Sequence, residues 1–228
     1  MADADTIWVV IAATGEGTHV ENVPRTGTLV RIDPAANQIA ASIPLDSAHP
    51  VQAAITNTEL WVTAFEPTPG APTEQRIVRI DRKAERVTAT IAVPWIAIGG
   101  GDLAAGAGAL WHVQNGAVER FDPVTGNLIA TVRVAGRADD IAFGAGAVWI
   151  TDQRDGRVYR IDPATSQVAA TISVPGISRA ISAAEDTVWV MSSRGAEQLL
   201  SRIDPANNQV TGTITRHGEQ LVLGIKRS

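Results

Sequence analysis

Apolar and polar positions alternate along this chain in short runs, and the runs recur in a fixed order. A Trp on an apolar run comes first, at Trp8, Trp61, Trp111, Trp149 and Trp189. A polar stretch follows, then Arg-Ile-Asp-Pro or a near copy, then a Thr-Ile-type segment. Alternation with period two predicts β-strands that each bury one face. The Asp of each copy (Asp33, Asp81, Asp122, Asp162, Asp204) precedes a Ser or Thr by nine residues every time, at Ser42, Thr90, Thr131, Thr171 and Thr213. An invariant separation predicts one hairpin built five times over.

In four copies the Asp is followed by Pro34, Pro123, Pro163 or Pro205. Pro presets φ for a turn, and an Asp carboxylate accepts backbone N–H groups inside one, so each Asp is read as turn chemistry rather than as a calcium ligand. Arg31, Arg79, Arg120, Arg160 and Arg202 stand two residues earlier, on the same strand face as the Asp. A second hairpin precedes each Trp, clearest at Ala105–Leu110 and Phe143–Val148, where Gly supplies the positive φ of a tight turn. Each unit is therefore four strands, called a to d in chain order, with the Trp on b and the Arg-Ile-Asp on c. Repetition of such units roughly every 40 residues predicts an all-β fold, a β-propeller of four-stranded blades.

The ends of the chain fit this count. Asp5-Thr6-Ile7-Trp8 matches Asp186-Thr187-Val188-Trp189, so the first unit begins without its strand a. Gln220–Ile225 matches Asp140–Ala145 and supplies one unattached strand a at the other end. Pairing the C-terminal strand with the N-terminal blade closes a ring of five and leaves no open edge. The residues seven before Trp61, Trp111, Trp149 and Trp189 are Ala54, Ala104, Ala142 and Ser182, with Val222 the equivalent in the C-terminal strand, small enough for inner strands to approach an axis. One domain over 1–228 is expected.

Composition narrows the chemistry. With 45% hydrophobic and 19% charged residues the chain can bury a core, and it contains no Cys for a disulfide, a thiolate metal site or a thiol nucleophile. A net charge of −5 argues against a nucleic-acid partner, and no apolar run has the length of a membrane span. A monomer binding a small molecule or peptide is expected. Met1-Ala2-Asp3-Ala4-Asp5 has neither the basic start nor the apolar core of a signal peptide, which fits a cytoplasmic protein or an exported one without its leader.

The strings Val-Trp-Ile-Thr-Asp (148–152), Val-Tyr-Arg-Ile-Asp-Pro (158–163) and Val-Ala-Ala-Thr-Ile (168–172) resemble YVTN-type propeller repeats. They also resemble the virginiamycin B lyase-like propellers, over essentially the whole chain. The second resemblance implies His and Glu side chains that hold a divalent metal and open a cyclic ester by elimination. Asp152 stands where those repeats often carry an acidic residue, while Ile11, Ala64, Gln114 and Ser192 occupy the same place in the other units.

Candidate site residues are the departures from the repeat near the start of strand a. His49 and His217 fall at one repeat position on neighbouring blades once the ring closes. With Glu219 and Asp140 they form a candidate catalytic set, and the two histidines are candidate ligands of a divalent metal. Gln52, Asp102, Arg137 and Arg179 are candidate ligand-binding residues at the same mouth, the two arginines suited to clamping a carboxylate. Trp95, the one Trp outside the repeat position, is suited to stacking on an aromatic or sugar-like ligand, or to capping a blade. A solvated polar rim is the competing reading of this set. The long b–c loops around 15–19 and 66–72 are further places for specificity. His112 takes a position that is Val9, Val62, Ile150 or Val190 elsewhere, so a buried, hydrogen-bonded imidazole is expected there. The function expected is a binding module; the alternatives are the metal-assisted lyase and a scaffold or sensor domain of a larger protein.

Overall fold

A computed structural model describes residues 6–11, 27–45, 49–56, 58–66, 74–93, 103–114 and 116–217. They form nineteen strands, and no helix occurs among them. Two compact units divide the chain near Gly100, the first holding two sheets and the second three.

In the first unit, β1 (Ile7–Ile11), β2 (Thr28–Asp33) and β3 (Gln38–Pro44) form a three-stranded antiparallel sheet in that order. The second sheet orders β4 (His49–Ile55), β5 (Glu59–Glu66), β6 (Glu74–Asp81) and β7 (Arg86–Val93). Trp8, Leu29 and Ile43 of the first sheet pack with Leu60, Val62, Val78 and Ile80 of the second in one buried cluster.

Three four-stranded sheets make up the second unit. They are β8 (Leu103–Gly106) to β11 (Leu128–Arg133) through β9 (Ala109–Gln114) and β10 (Ala117–Phe121); β12 (Ala138–Gly144), β13 (Ala147–Asp152), β14 (Arg157–Asp162) and β15 (Gln167–Ser173); and β16 (Ile177–Ala183), β17 (Val188–Arg194), β18 (Glu197–Asp204) and β19 (Gln209–His217). Trp111 of one sheet packs with Ile150, Tyr159 and Ile161 of the next. Trp149 packs likewise with Val188, Val190 and Ile203 of the sheet after. Trp8, Trp111 and Trp149 thus fill the space between their own sheet and the next sheet of the same unit.

The repeated hairpin has one geometry in all five sheets. The Ser or Thr nine after the Asp pairs with the residue three before it: Val30 with Ser42, Val78 with Thr90, Glu119 with Thr131, Tyr159 with Thr171, Ser201 with Thr213. A bulge follows the Arg in every copy. Asp33, Asp81, Asp122, Asp162 and Asp204 each accept a backbone N–H from the residue two further on, at 2.8 Å. The carboxylate is thus occupied by its own turn, and among the described residues no group of three or more metal-ligating side chains occurs. The last turn residue lies at positive φ: Asn37, Glu85, Gly126, Ser166 and Asn208.

The a–b turns Ala107-Gly108 and Ala145-Gly146 have both residues at positive φ, the twist that a two-residue hairpin needs. Ala54, Ala104, Ala142 and Ser182 pair directly with the Trp of strand b. Gln220–Ile225 lies outside the described residues. No described helix is long and apolar enough to cross a membrane.

Candidate functional site

The Arg of strand c does more than share a face with its Asp. Arg79, Arg120 and Arg160 lie over the rings of Trp61, Trp111 and Trp149, at 5.4, 5.2 and 5.4 Å from the centroid. Arg79 donates to Glu59 and Arg202 to Thr187 in their own sheets, whereas the guanidinium groups of Arg31, Arg120 and Arg160 reach the c–d turn of the next sheet. Arg31 Nε donates to Glu85 Oε1 (2.6 Å), and Arg120 Nη1 donates to Ser166 Oγ (3.0 Å). Arg160 Nη1 donates to Pro205 O and Asn208 Oδ1, both at 2.9 Å. A basic residue that could be mistaken for a ligand group is therefore a clasp between sheets. The sequence places the Arg and leaves its partner unstated, because that partner lies 45 or more residues away.

The opening end of the sheets, where strand a begins, holds most of the candidate residues. Three of the a strands carry a bulge there, at Pro50/Gln52, Ala138/Ile141 and Ser178/Ala180. A bulge breaks the inward–outward alternation and re-aims side chains. On β12 this gives its two acids different jobs. Asp140 Oδ1 accepts Ile141 N–H (2.8 Å), and Oδ2 accepts Ile181 N–H of the adjacent sheet (2.7 Å), so this predicted catalytic carboxylate ties two sheets. Asp139 instead accepts from Gln153 Nε2 of the b–c loop. Arg179, on the bulge of β16, is exposed and donates from Nε to Ser193 Oγ at 3.4 Å. Arg137 is exposed, and its backbone N–H donates to Asp152 Oδ1 at 3.0 Å.

Asp152 is fully buried. Its carboxylate accepts Arg137 N–H, Arg154 N–H (2.9 Å) and the Tyr159 hydroxyl (3.0 Å), and Gly136 passes so close that a Cβ there would overlap Oδ2. Three donors neutralise what an unpaired buried charge would cost, so Asp152 locks the b–c turn to the loop ahead of β12. Burial, and then the bond to Asp152, raise the pKa of the Tyr159 phenol.

The remaining candidates are not brought together by the described residues. His49 begins β4 and pairs with Phe65, and Gln52 pairs with Thr63; both side chains lie outside the described residues. His217 is the last residue of β19, is 75% exposed, and has Nε2 at 3.8 Å from Glu197 Oε1. Trp95, Asp102, Glu219 and the loop segments 15–19 and 67–72 lie outside the described residues.

His112 is 3% exposed on β9, with Leu103 and Glu119 opposite it on the flanking strands. Burial pushes its pKa down to about 4 and pushes that of Glu119 up. The side chain of Gln114, two residues further along β9, lies outside the described residues.

No family model matches the sequence, and no curated protein matches it. Solved structures do match in shape. Hydrazine synthase of Kuenenia stuttgartiensis aligns with a TM-score of 0.59 at 14% identity, over 90% of this chain and 53% of that one. Apo AztD from Citrobacter koseri aligns with a TM-score of 0.57 at 11% identity, over 93% of this chain and 58% of that one. Glutaminyl cyclase of Myxococcus xanthus aligns at 0.48 and 16% identity, over 72% of this chain and 76% of that one. The chain thus spans little more than half the length of the first two. At such identities the likeness is one of fold, and that fold is of β-propeller type.

Proposed function

We propose that this chain is a β-propeller binding module that takes a small molecule or peptide segment at the end of the sheets where the a strands begin. The observation that carries this reading is the bulge repeated on β4, β12 and β16 at that end. It re-aims Asp139 on β12 and exposed Arg179 on β16, neighbouring sheets of one unit, with exposed Arg137 just ahead of β12, while Asp140 and Asp152 are consumed in structural bonds. An anionic group on the ligand would meet Arg137 and Arg179. Gln52, Asp102 and Trp95 belong to the same proposal as residues of the mouth.

The proposal includes the architecture: a single domain over 1–228 with YVTN-type repeats, in which 220–225 completes the β1–β3 sheet and closes a ring of five blades. Pulling apart binding and fold is straightforward, since both arginines are exposed. A library of small carboxylic acids and short peptides is screened by thermal shift, and hits are repeated on Arg137→Ala/Arg179→Ala. A ligand whose binding is lost in the double variant at unchanged Tm supports the reading. Equal binding by both proteins removes it.

The metal-assisted lyase reading has one specific observation in its favour, the approach of His217 to Glu197. It requires His49, His217, Glu219 and Asp140 to act around a divalent metal. Elemental analysis of the purified chain and of His217→Ala tests it: a stoichiometric metal that the variant loses supports the lyase, and a metal-free wild type removes it.

A further inference from the structure

The c–d turn of the second sheet departs from its four counterparts in three residues, and all three face one cleft. Where the other turns read Asp-Pro followed by Ala or Val, this one reads Asp81-Arg82-Lys83. Where the positive-φ position is Asn37, Gly126, Ser166 or Asn208, this one has Glu85 at φ 51°. A long charged side chain is a poor choice for that backbone region, which Asn and Gly tolerate better. The turn itself asks for none of this. Asp81 Oδ1 accepts Lys83 N–H and Ala84 N–H at 2.8 Å, as its counterparts do. Arg82 N–H and Nη1 meet Thr58 O (3.1 Å) and Thr56 O (2.8 Å), which fixes the guanidinium against the a–b turn.

The cleft lies within the first unit, between β1–β3 and β4–β7, with a volume of about 510 Å³. Trp8 and Arg31 line it from one sheet, and Thr58, Arg82, Lys83 and Glu85 from the other. It opens at the a–b and c–d turns, the opposite end of the sheets from the mouth discussed above. Arg31, Arg82 and Lys83 face two acids there, Asp81 and Glu85, in a chain of net charge −5; the Asp81 carboxylate is taken up by its own turn and Glu85 is engaged by Arg31 at 2.6 Å. Arg82 is partly desolvated, which lowers its pKa; a bound anion would offset that cost. The volume falls in the range of small-molecule sites.

We propose that this cleft is a second binding site, for a small molecule with an oxyanion head group, held by Arg82 and Lys83 with Arg31 gated by Glu85. Phosphate and carboxylate share that chemistry. Glu85 acts as the internal stand-in: it occupies Arg31 until a ligand competes for it.

Inorganic phosphate and succinate are titrated separately into ¹⁵N-labelled full chain at low ionic strength. Shifts confined to the amides of Thr58, Lys83, Ala84 and Glu85 are expected with at least one of them, and which one identifies the head group. Lys83→Ala, which restores the residue found in three counterpart turns, should weaken that binding about tenfold. Glu85→Asn, which restores the residue of two counterparts, should tighten it about threefold by releasing Arg31. The proposal fails if neither anion shifts these amides at tens of millimolar, or if both variants bind as the wild type does.

Discussion

Replacing His112 by Val tests whether a buried imidazole sets the acid limit of this fold. Val or Ile occupies the position in the other four units, so the substitution keeps the packing class. The imidazole has an ordinary pKa of 6.5 and about 4 in the fold, because burial disfavours its charged form. The unfolded chain therefore binds a proton that the folded one refuses as pH falls below 6.5. Stability is complete above that value and drains away down to about 4, a loss of about 3 kcal/mol. Glu119, directly across from His112, acts in the opposite sense. Burial raises its pKa, so the fold holds its proton more tightly and gains stability as pH falls through that raised value. The imidazole is therefore best isolated in a Glu119→Gln background. Urea unfolding is measured from pH 7.5 to 4 for Glu119→Gln and for Glu119→Gln/His112→Val. The difference between the two should grow by about 3 kcal/mol across the range. Parallel curves would refute the reasoning.

The other predictions concern the ties between and within sheets. Arg160→Ala removes two bonds to the next turn and the contact over Trp149, and should cost about 2–3 kcal/mol in urea unfolding, with Arg160→Lys recovering only part. Tyr159→Phe leaves buried Asp152 one donor short and should cost about 1.5–3 kcal/mol by the same assay; an unchanged midpoint would show that water replaces the hydroxyl. At Gly156, φ is 58° and a Cβ would lie 2.1 Å from Gly176 O, so Gly156→Ala should cost about 3 kcal/mol or more. Gly146→Ala, at φ 68° with open space around it, should cost only about 1 kcal/mol, and equal drops in Tm would contradict that ranking.

The repeat, its four strands and its turns are legible in the sequence because they are local. Period-two alternation selects the strands, Asp accepts N–H groups two residues on, and Ala-Gly supplies positive φ, all within one hairpin's reach. The nine-residue interval from Asp to Thr translates directly into one cross-strand register. Roles that join sheets are another matter. Arg160 could equally have paired with its own Asp162, and it is the neighbouring turn at Pro205 and Asn208 that claims it. Asp140 reads as a free carboxylate until Ile181 N–H, 41 residues on, is brought against it. Asp152 reads as a candidate acid until the bulged β12 and Tyr159 enclose it. A side chain's chemistry is written in its residue type. Whether that chemistry is spent on the fold or left for a ligand depends on which distant groups the packed sheets place beside it, and only the tertiary structure decides that.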